Sequence, residues 1–376
     1  MLEIKPFVVD IPQQQLDELR LRLSLTRYPE RETVADWSQG VPLDYLRELA
    51  DYWQDGYDLR RLETRLNALP QYLATCDDLD IHFIHVRSPS PHARPLVLTH
   101  GWPGSVVEFL KVIGPLSDPA AHGGDPADAF HVVCPSLPGY GFSDKPAATG
   151  WDVVKIASTW SRLMAALGYP RYFAQGGDWG CAVTSSIAQQ DPGCLGIHLN
   201  MATVRPNQDQ LGELTTTEQQ AMVDMKYYQD WDSGYAKLQA TRPQTLGYGL
   251  VDSPVGQLAW IVEKFWAWTD CNGHPENALT KEEMLDNVMM YWLNAAAASS
   301  ARLYWQSFAS FIVGEVDTPT GFTVFPKEIF RSSRRWCANT YKNIHYWNEA
   351  EKGGHFAAFE QPEIFVAEVR DCFRSL

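Results

Sequence analysis

The chain has 376 residues, with 31 Lys or Arg against 46 Asp or Glu, a formal net charge of −15 at neutral pH. That balance excludes a phosphate-backbone partner and an anionic membrane surface, both of which call for clustered cations. Hydrophobic residues make up 45% and charged residues 20%, which supplies a large core and excludes a mainly disordered chain.

The N-terminal stretch MLEIKPFVVDIPQQQ has no basic segment leading into an apolar one, and no uncharged apolar run in the chain could span a bilayer, so a soluble, cytoplasmic protein without a membrane anchor is expected. Leu16, Leu19 and Leu23 share one helical face; Leu43, Leu46, Ala50, Trp53 and Tyr57 share another. Such faces must bury on something else, so the helical residues 1–80 are expected to pack against the rest of the chain. DLDIHFIHVRS and RPLVLTHGWPGS read as strands, the second ending in a Gly/Pro turn, and FHVVCPSLPGYGFSDKP repeats strand followed by loop. A helical stripe follows at Val153, Ile156, Trp160, Leu163 and Leu167, stopped by Gly168 and Pro170. YFA then gives a strand, QGGDWG a turn, CAVTSSIAQQ a helix, and GCLGIHLNMA a further strand.

Strands alternating with helices predict an α/β fold with a mostly parallel sheet covered on both faces. Residues 81–204 form the first part of that core. From 205 to 317 the strand signal lapses and helical segments rich in Trp and Tyr predict an inserted lid, before TGFTVFP and NIHYWNE resume the core over 318–376. The seven cysteines are scattered and never spaced as C-x-x-C, which predicts reduced buried thiols rather than a metal or redox centre.

The chemistry centres on Gly176-Gly177-Asp178-Trp179-Gly180, a small-x-nucleophile-x-small pattern between a strand and a helix. Serine at the centre would need a base before it could attack, whereas an ionised aspartate attacks an electrophilic carbon directly and leaves an ester. Water can release that ester through its carbonyl. A serine attacking a saturated carbon would leave an inert ether, so Asp178 points to substitution at carbon, as in an epoxide or alkyl halide. The competing reading is an aspartate that merely caps the following helix.

Release of the ester requires a base for water. His355 in EKGGHFAAFEQP lies after a strand, in a Gly-Gly turn, with nucleophile, acid and histidine in the chain order that suits this layout. An acid must orient it: Glu328, just beyond TGFTVFP, is placed for this, while the rival Asp317 precedes that strand. Backbone N–H groups of Trp179, following the nucleophile, and of Trp102 in HGWPG are the candidates for an oxyanion hole.

HGWPGSVVEF, SLPGYGFSDKP, QGGDWG, DSPVGQLAWIVEKF and GGHFAAFEQP together resemble the microsomal-type epoxide hydrolases, in this order and along almost the whole chain. The resemblance implies an α/β-hydrolase fold, an epoxide as small-molecule substrate, Asp178 as nucleophile, Glu328 as acid partner and His355 as base. It adds Tyr235 in DSGY and Tyr304 in ARLYWQS as lid donors to the epoxide oxygen, in a segment that also holds Tyr227, Tyr228, Tyr248 and Tyr291. No metal or cofactor is expected, and a homodimer is compatible with the sequence but not dictated by it. Two other readings stand beside this one. A haloalkane dehalogenase would use the same Asp and His chemistry with indole N–H groups holding the halide; Trp179 is positioned for that, and six tryptophans fall in the inserted segment. A non-catalytic ligand-binding protein on the same fold is the other.

Overall fold

The computed structural model describes residues 2–308 and 314–376. Its nine strands, all in one sheet, are β1 Glu3–Phe7, β2 Gln71–Cys76, β3 Leu79–Val86, β4 Arg94–Thr99, β5 Phe130–Pro135, β6 Tyr172–Gly176, β7 Cys194–Leu199, β8 Thr320–Val324 and β9 Ile344–Glu349. Their order is β1-β2-β3-β5-β4-β6-β7-β8-β9. β1, β2 and β3 run antiparallel to their neighbours, and every pair from β5 onward is parallel. Central parallel strands covered on both faces need continuous apolar runs. β4 supplies Leu96, Val97 and Leu98 and β6 supplies Phe173 and Ala174, all buried.

Register brings the C-terminal strand ends level. Thr99 at the end of β4 lies opposite Gly176 at the end of β6, Gly176 opposite Leu199 of β7, and Val324 of β8 opposite Glu349 of β9. The loops leaving β4, β6, β8 and β9 therefore emerge along one sheet edge, where parallel α/β sheets gather their ligand sites.

The expected helical stripe spans Val153–Ala166, capped by the Asp152 side chain on the Lys155 N–H, with Val153, Ile156, Trp160 and Leu163 buried. The first 80 residues differ from a purely helical extension because β1 and β2 add two antiparallel strands to the sheet edge. β1 is mostly exposed and contains Pro6, so it carries no apolar alternation for a sequence reading to detect. The helix Leu43–Asp51 passes into a wider turn over Tyr52–Gly56, and Tyr57 closes it with its N–H on the Tyr52 carbonyl.

Between β7 and β8 lie the helices Thr216–Tyr227, Gly234–Thr241, Pro243–Asp252, Pro254–Trp268, Lys281–Trp292 and Ala297–Ser307. Residues 309–313 of that expected insertion lie outside the described residues. The N-terminal helices Gln13–Ser24 and Leu43–Asp51 pack on Pro254–Trp268, burying Leu19, Leu49 and Trp53 completely. Asp286 ties the two segments together, accepting hydrogen bonds from Tyr57 at 2.6 Å, Arg61 at 3.2 Å and Arg65 at 2.6 Å.

Candidate active site

Asp178 occupies the turn between β6 and the helix Trp179–Gln190 with φ 51° and ψ −129°, a left-handed backbone that costs energy in any residue with a Cβ. The flanking glycines make the turn sterically feasible. A Cβ at Gly176 would overlap the Gly180 carbonyl, and one at Gly180 would overlap the Thr99 carbonyl, both backbone atoms with no room to yield. Asp178 does not cap the helix with its side chain, which removes the capping alternative. Its Oδ1 instead accepts the Trp102 N–H at 2.7 Å.

His355 reaches the same carboxylate from the loop after β9. Its Nε2 lies 3.4 Å from Asp178 Oδ2, and its Nδ1 is 2.7 Å from Glu328 Oε1. All three side chains are buried. The loop is fixed by the His355 N–H donating to the Trp268 carbonyl at 2.9 Å, and the Trp268 ring stands edge-on to the imidazole. Glu328 Oε1 also accepts the Ile329 N–H at 2.7 Å. Asp317, the rival, is exposed and precedes β8, at the end of the strand remote from Glu328. Burial alone depresses the His355 imidazolium, but the charges and hydrogen bonds of Glu328 and Asp178 together outweigh it and hold the group well above its ordinary value.

Tyr235 and Tyr304 both face a cavity of about 340 Å³ that Asp178 also lines, together with Met201, Phe308, Ile329 and Phe330. Tyr235 stacks on the Trp102 ring at 4.9 Å, and Tyr304 meets the Trp179 ring edge-on at 4.8 Å. Burial, then nearby phenols and Asp178, push both hydroxyls well above their ordinary range, so they remain protonated donors. None of the six tryptophans of the inserted segment is among the described residues lining this cavity.

Three contributors had no sequence signal. Tyr228 lines the cavity and its hydroxyl lies 2.8 Å from that of Tyr235. Trp268 anchors the His355 loop. His100 accepts the Leu137 N–H at Nε2, so its proton sits on Nδ1 and donates to the Gly101 carbonyl at 2.9 Å, fixing the loop that carries Trp102. Burial lowers His100 to about 4, which keeps it neutral in this clamp. All seven cysteines are buried and unpaired. Among the described residues no cluster of three or more His, Cys, Asp or Glu side chains could hold a metal ion, and no helix is long and apolar enough to cross a membrane.

The sheet order, the strained turn after a central parallel strand and the helical insertion after β7 define an α/β-hydrolase, in agreement with the match of residues 94–250 to the alpha/beta hydrolase fold. Residues 4–109 match the epoxide hydrolase N terminus. A Stigmatella aurantiaca (strain DW4/3-1) protein that carries an epoxide hydrolase name is 54% identical over 99% of this chain and 85% of its own. Epoxide hydrolase 1 of Sus scrofa is 34% identical over 98% and 88%. The structure of the Aspergillus niger epoxide hydrolase superposes with a TM-score of 0.90 at 31% identity, covering 99% of this chain and 96% of the other. The silkworm Bombyx mori juvenile hormone epoxide hydrolase gives a TM-score of 0.90 at 30% identity, covering 100% and 95%. The chain belongs to the microsomal-type epoxide hydrolase family, and it is an epoxide-hydrolysing enzyme.

Proposed function

We propose that the enzyme opens an apolar or aryl epoxide to a vicinal diol in two steps, through an ester on Asp178. The observation that carries this reading is the position of the Asp178 carboxylate, held by the Trp102 N–H and His355 on its own side and facing Tyr235 and Tyr304 across an apolar cavity. In the first step Asp178 attacks an epoxide carbon, the C–O bond breaks, and Tyr235 and Tyr304 donate to the oxygen as charge develops there. In the second, His355, oriented by Glu328, takes a proton from water, whose oxygen attacks the Asp178 carboxyl carbon. The N–H groups of Trp102 and Trp179 hold the resulting oxyanion.

Residues 205–317 act as a lid over this site, and residues 1–80 hold the lid on the core. Among the described residues the cavity is lined by the hydroxyls of Tyr235, Tyr304 and Tyr228 against one tryptophan, Trp179, and this balance favours an oxygen leaving group over a halide. The lining by Met201, Ile329, Phe330 and Phe308 favours an apolar substrate. The protein acts as a soluble cytoplasmic enzyme, as a monomer or a homodimer.

A single turnover with styrene oxide in heavy-oxygen water tests the mechanism. The expected result is solvent oxygen in the Asp178 carboxylate and an unlabelled oxygen from the enzyme in the first diol. Diol formed without label in Asp178 would replace the ester with direct attack by water. His355→Gln is expected to alkylate normally and to accumulate a protein adduct of epoxide mass.

A further inference from the structure

Asp178 is flanked by two separate cavities, and the mechanism uses only the larger one. The second is a small space of about 20 Å³ that also borders the carboxylate. That volume accommodates one water molecule and nothing larger. His355 lines the small cavity and not the large one, as do Glu108, Gln175 and Asn200. A site for one water needs two to four polar partners, and these side chains supply them. Gln175 donates from Nε2 to Asn200 Oδ1 at 2.7 Å, while its buried Oε1 has no hydrogen-bond partner among the described residues.

Glu108 has no assigned task. It comes from the short helical turn Val106–Phe109 and folds back over Gly104, whose missing side chain makes the space: a Cβ there would coincide with the Glu108 carboxyl. The Ser105 N–H donates to that carboxyl, but no Lys or Arg pairs with it among the described residues. Burying a carboxyl group without a cation is costly. The neighbouring Glu360 meets that cost with backbone donors, accepting the Phe356 and Asp270 N–H groups at 3.1 and 2.8 Å, and so serves the loops around His355. Glu108 has no such set. Burial pushes it up to about 8, with the His355 charge pulling the other way.

We propose that Glu108 orients the hydrolytic water: a Glu108 carboxyl oxygen accepts one of its hydrogens, His355 Nε2 takes the other, and the water oxygen is aimed at the Asp178 carboxyl carbon. Either protonation form of a carboxyl group offers an acceptor oxygen for this. The step balances without another reactant. One water proton passes to His355 as the new C–O bond forms, the tetrahedral intermediate expels the alkoxide, and the alkoxide takes that proton to complete the diol. The carboxylic acid left on Asp178 then protonates His355, replacing the proton that the imidazolium gave up to the ring-opened oxygen when the ester formed, and the starting charges are restored. Placing the water in a pocket of its own keeps it apart from the epoxide until the ester exists, so substrate and water never compete for one volume.

This inference rests on the ester mechanism, and rapid-quench kinetics with mass analysis of the protein separates the two. Wild type must first show the adduct; if it does not, the ester mechanism fails and not this assignment alone. Given the adduct, Glu108→Leu is expected to alkylate within about twofold of wild type and to hydrolyse the ester about a hundredfold more slowly, the scale of a misplaced reactant. Glu108→Gln, which keeps an acceptor oxygen, is expected to restore most of that loss. Unchanged hydrolysis in Glu108→Leu, or alkylation slowed as much as hydrolysis, would overturn the assignment. A high-resolution crystal structure of the unmodified enzyme gives an independent reading: an ordered water within hydrogen-bond reach of both Glu108 and His355 Nε2 is expected, and a dry cavity would refute it.

Discussion

At Asp178, backbone strain, two glycines and the neighbouring strand form one unit. Gly180 lies so close to the Thr99 carbonyl that a methyl group can be fitted only by moving β4. Gly180→Ala is therefore expected to lower stability by about 2–3 kcal/mol and to abolish turnover, measured by urea unfolding and diol release. A variant of normal stability and activity would mean that the turn has slack. His355 offers a test of the electrostatics. Because its folded pKa is raised, the stability its imidazolium draws from Glu328 and Asp178 is complete below the unfolded value of about 6.5 and is lost as pH rises through the higher folded value. In the proposed mechanism alkylation removes one of those two charges, so the imidazole of the ester form gives up its proton at a lower pH than that of the free enzyme. In Asp178→Ala the imidazole resonances of His355 are expected to titrate at lower pH than in wild type, and an unmoved titration would mean that Glu328 alone sets the value. The Asp178 turn and the placement of His355 were legible because glycine spacing and a Gly-Gly turn encode backbone geometry directly. His100 and Glu108 were not, since each acquires its task from a loop that folds against it.

At the scale of elements, the helices Gly234–Thr241 and Ala297–Ser307 bring Tyr235 and Tyr304 to one side of the cavity, although 69 positions separate the two residues in sequence. In the proposed mechanism the phenol donors act as the epoxide oxygen gains charge and have no part in ester hydrolysis. Tyr235→Phe and Tyr304→Phe are each expected to slow alkylation about 10²-fold, with ester hydrolysis unchanged, by single-turnover fluorescence or quench. Equal losses in both steps would instead indicate a collapsed lid. While Tyr52 on Glu282 and Lys281 on Glu48 add links nearer the surface, the buried part of the tie between the N-terminal segment and the helix Lys281–Trp292 is Asp286, beneath Tyr57, Arg61 and Arg65. Asp286→Ala strands those donors and is expected to cost about 3 kcal/mol in urea unfolding, while a loss below about 1 kcal/mol would mean the segment is held by its apolar face alone. The lapse of the strand signal marked the inserted segment as helical without bounding its helices, and the pairing of β1 was hidden because an exposed edge strand has no apolar face to advertise.

Across the whole molecule one continuous core links the N-terminal helices, the sheet and the inserted helices, running from Leu19 and Trp53 through Val97 and Phe173 to Phe265 and Trp268. The N-terminal segment is thus expected to melt together with the rest, and scanning calorimetry resolving a separate early transition would contradict a shared core. The sequence by itself determined the α/β alternation, the strained turn at Asp178, and the placement of His355 and Glu328 after their strands. Each of these is local, set by periodicity, glycine spacing or the position of a residue relative to a strand end. Tertiary structure alone decided which tyrosines share a cavity with Asp178, that Tyr228 joins them, that two further strands extend the sheet, and that a second, small cavity lined by Glu108 borders the carboxylate. Those features depend on which surfaces meet when distant segments pack, and the distance between two side chains far apart in the chain is written in no local pattern.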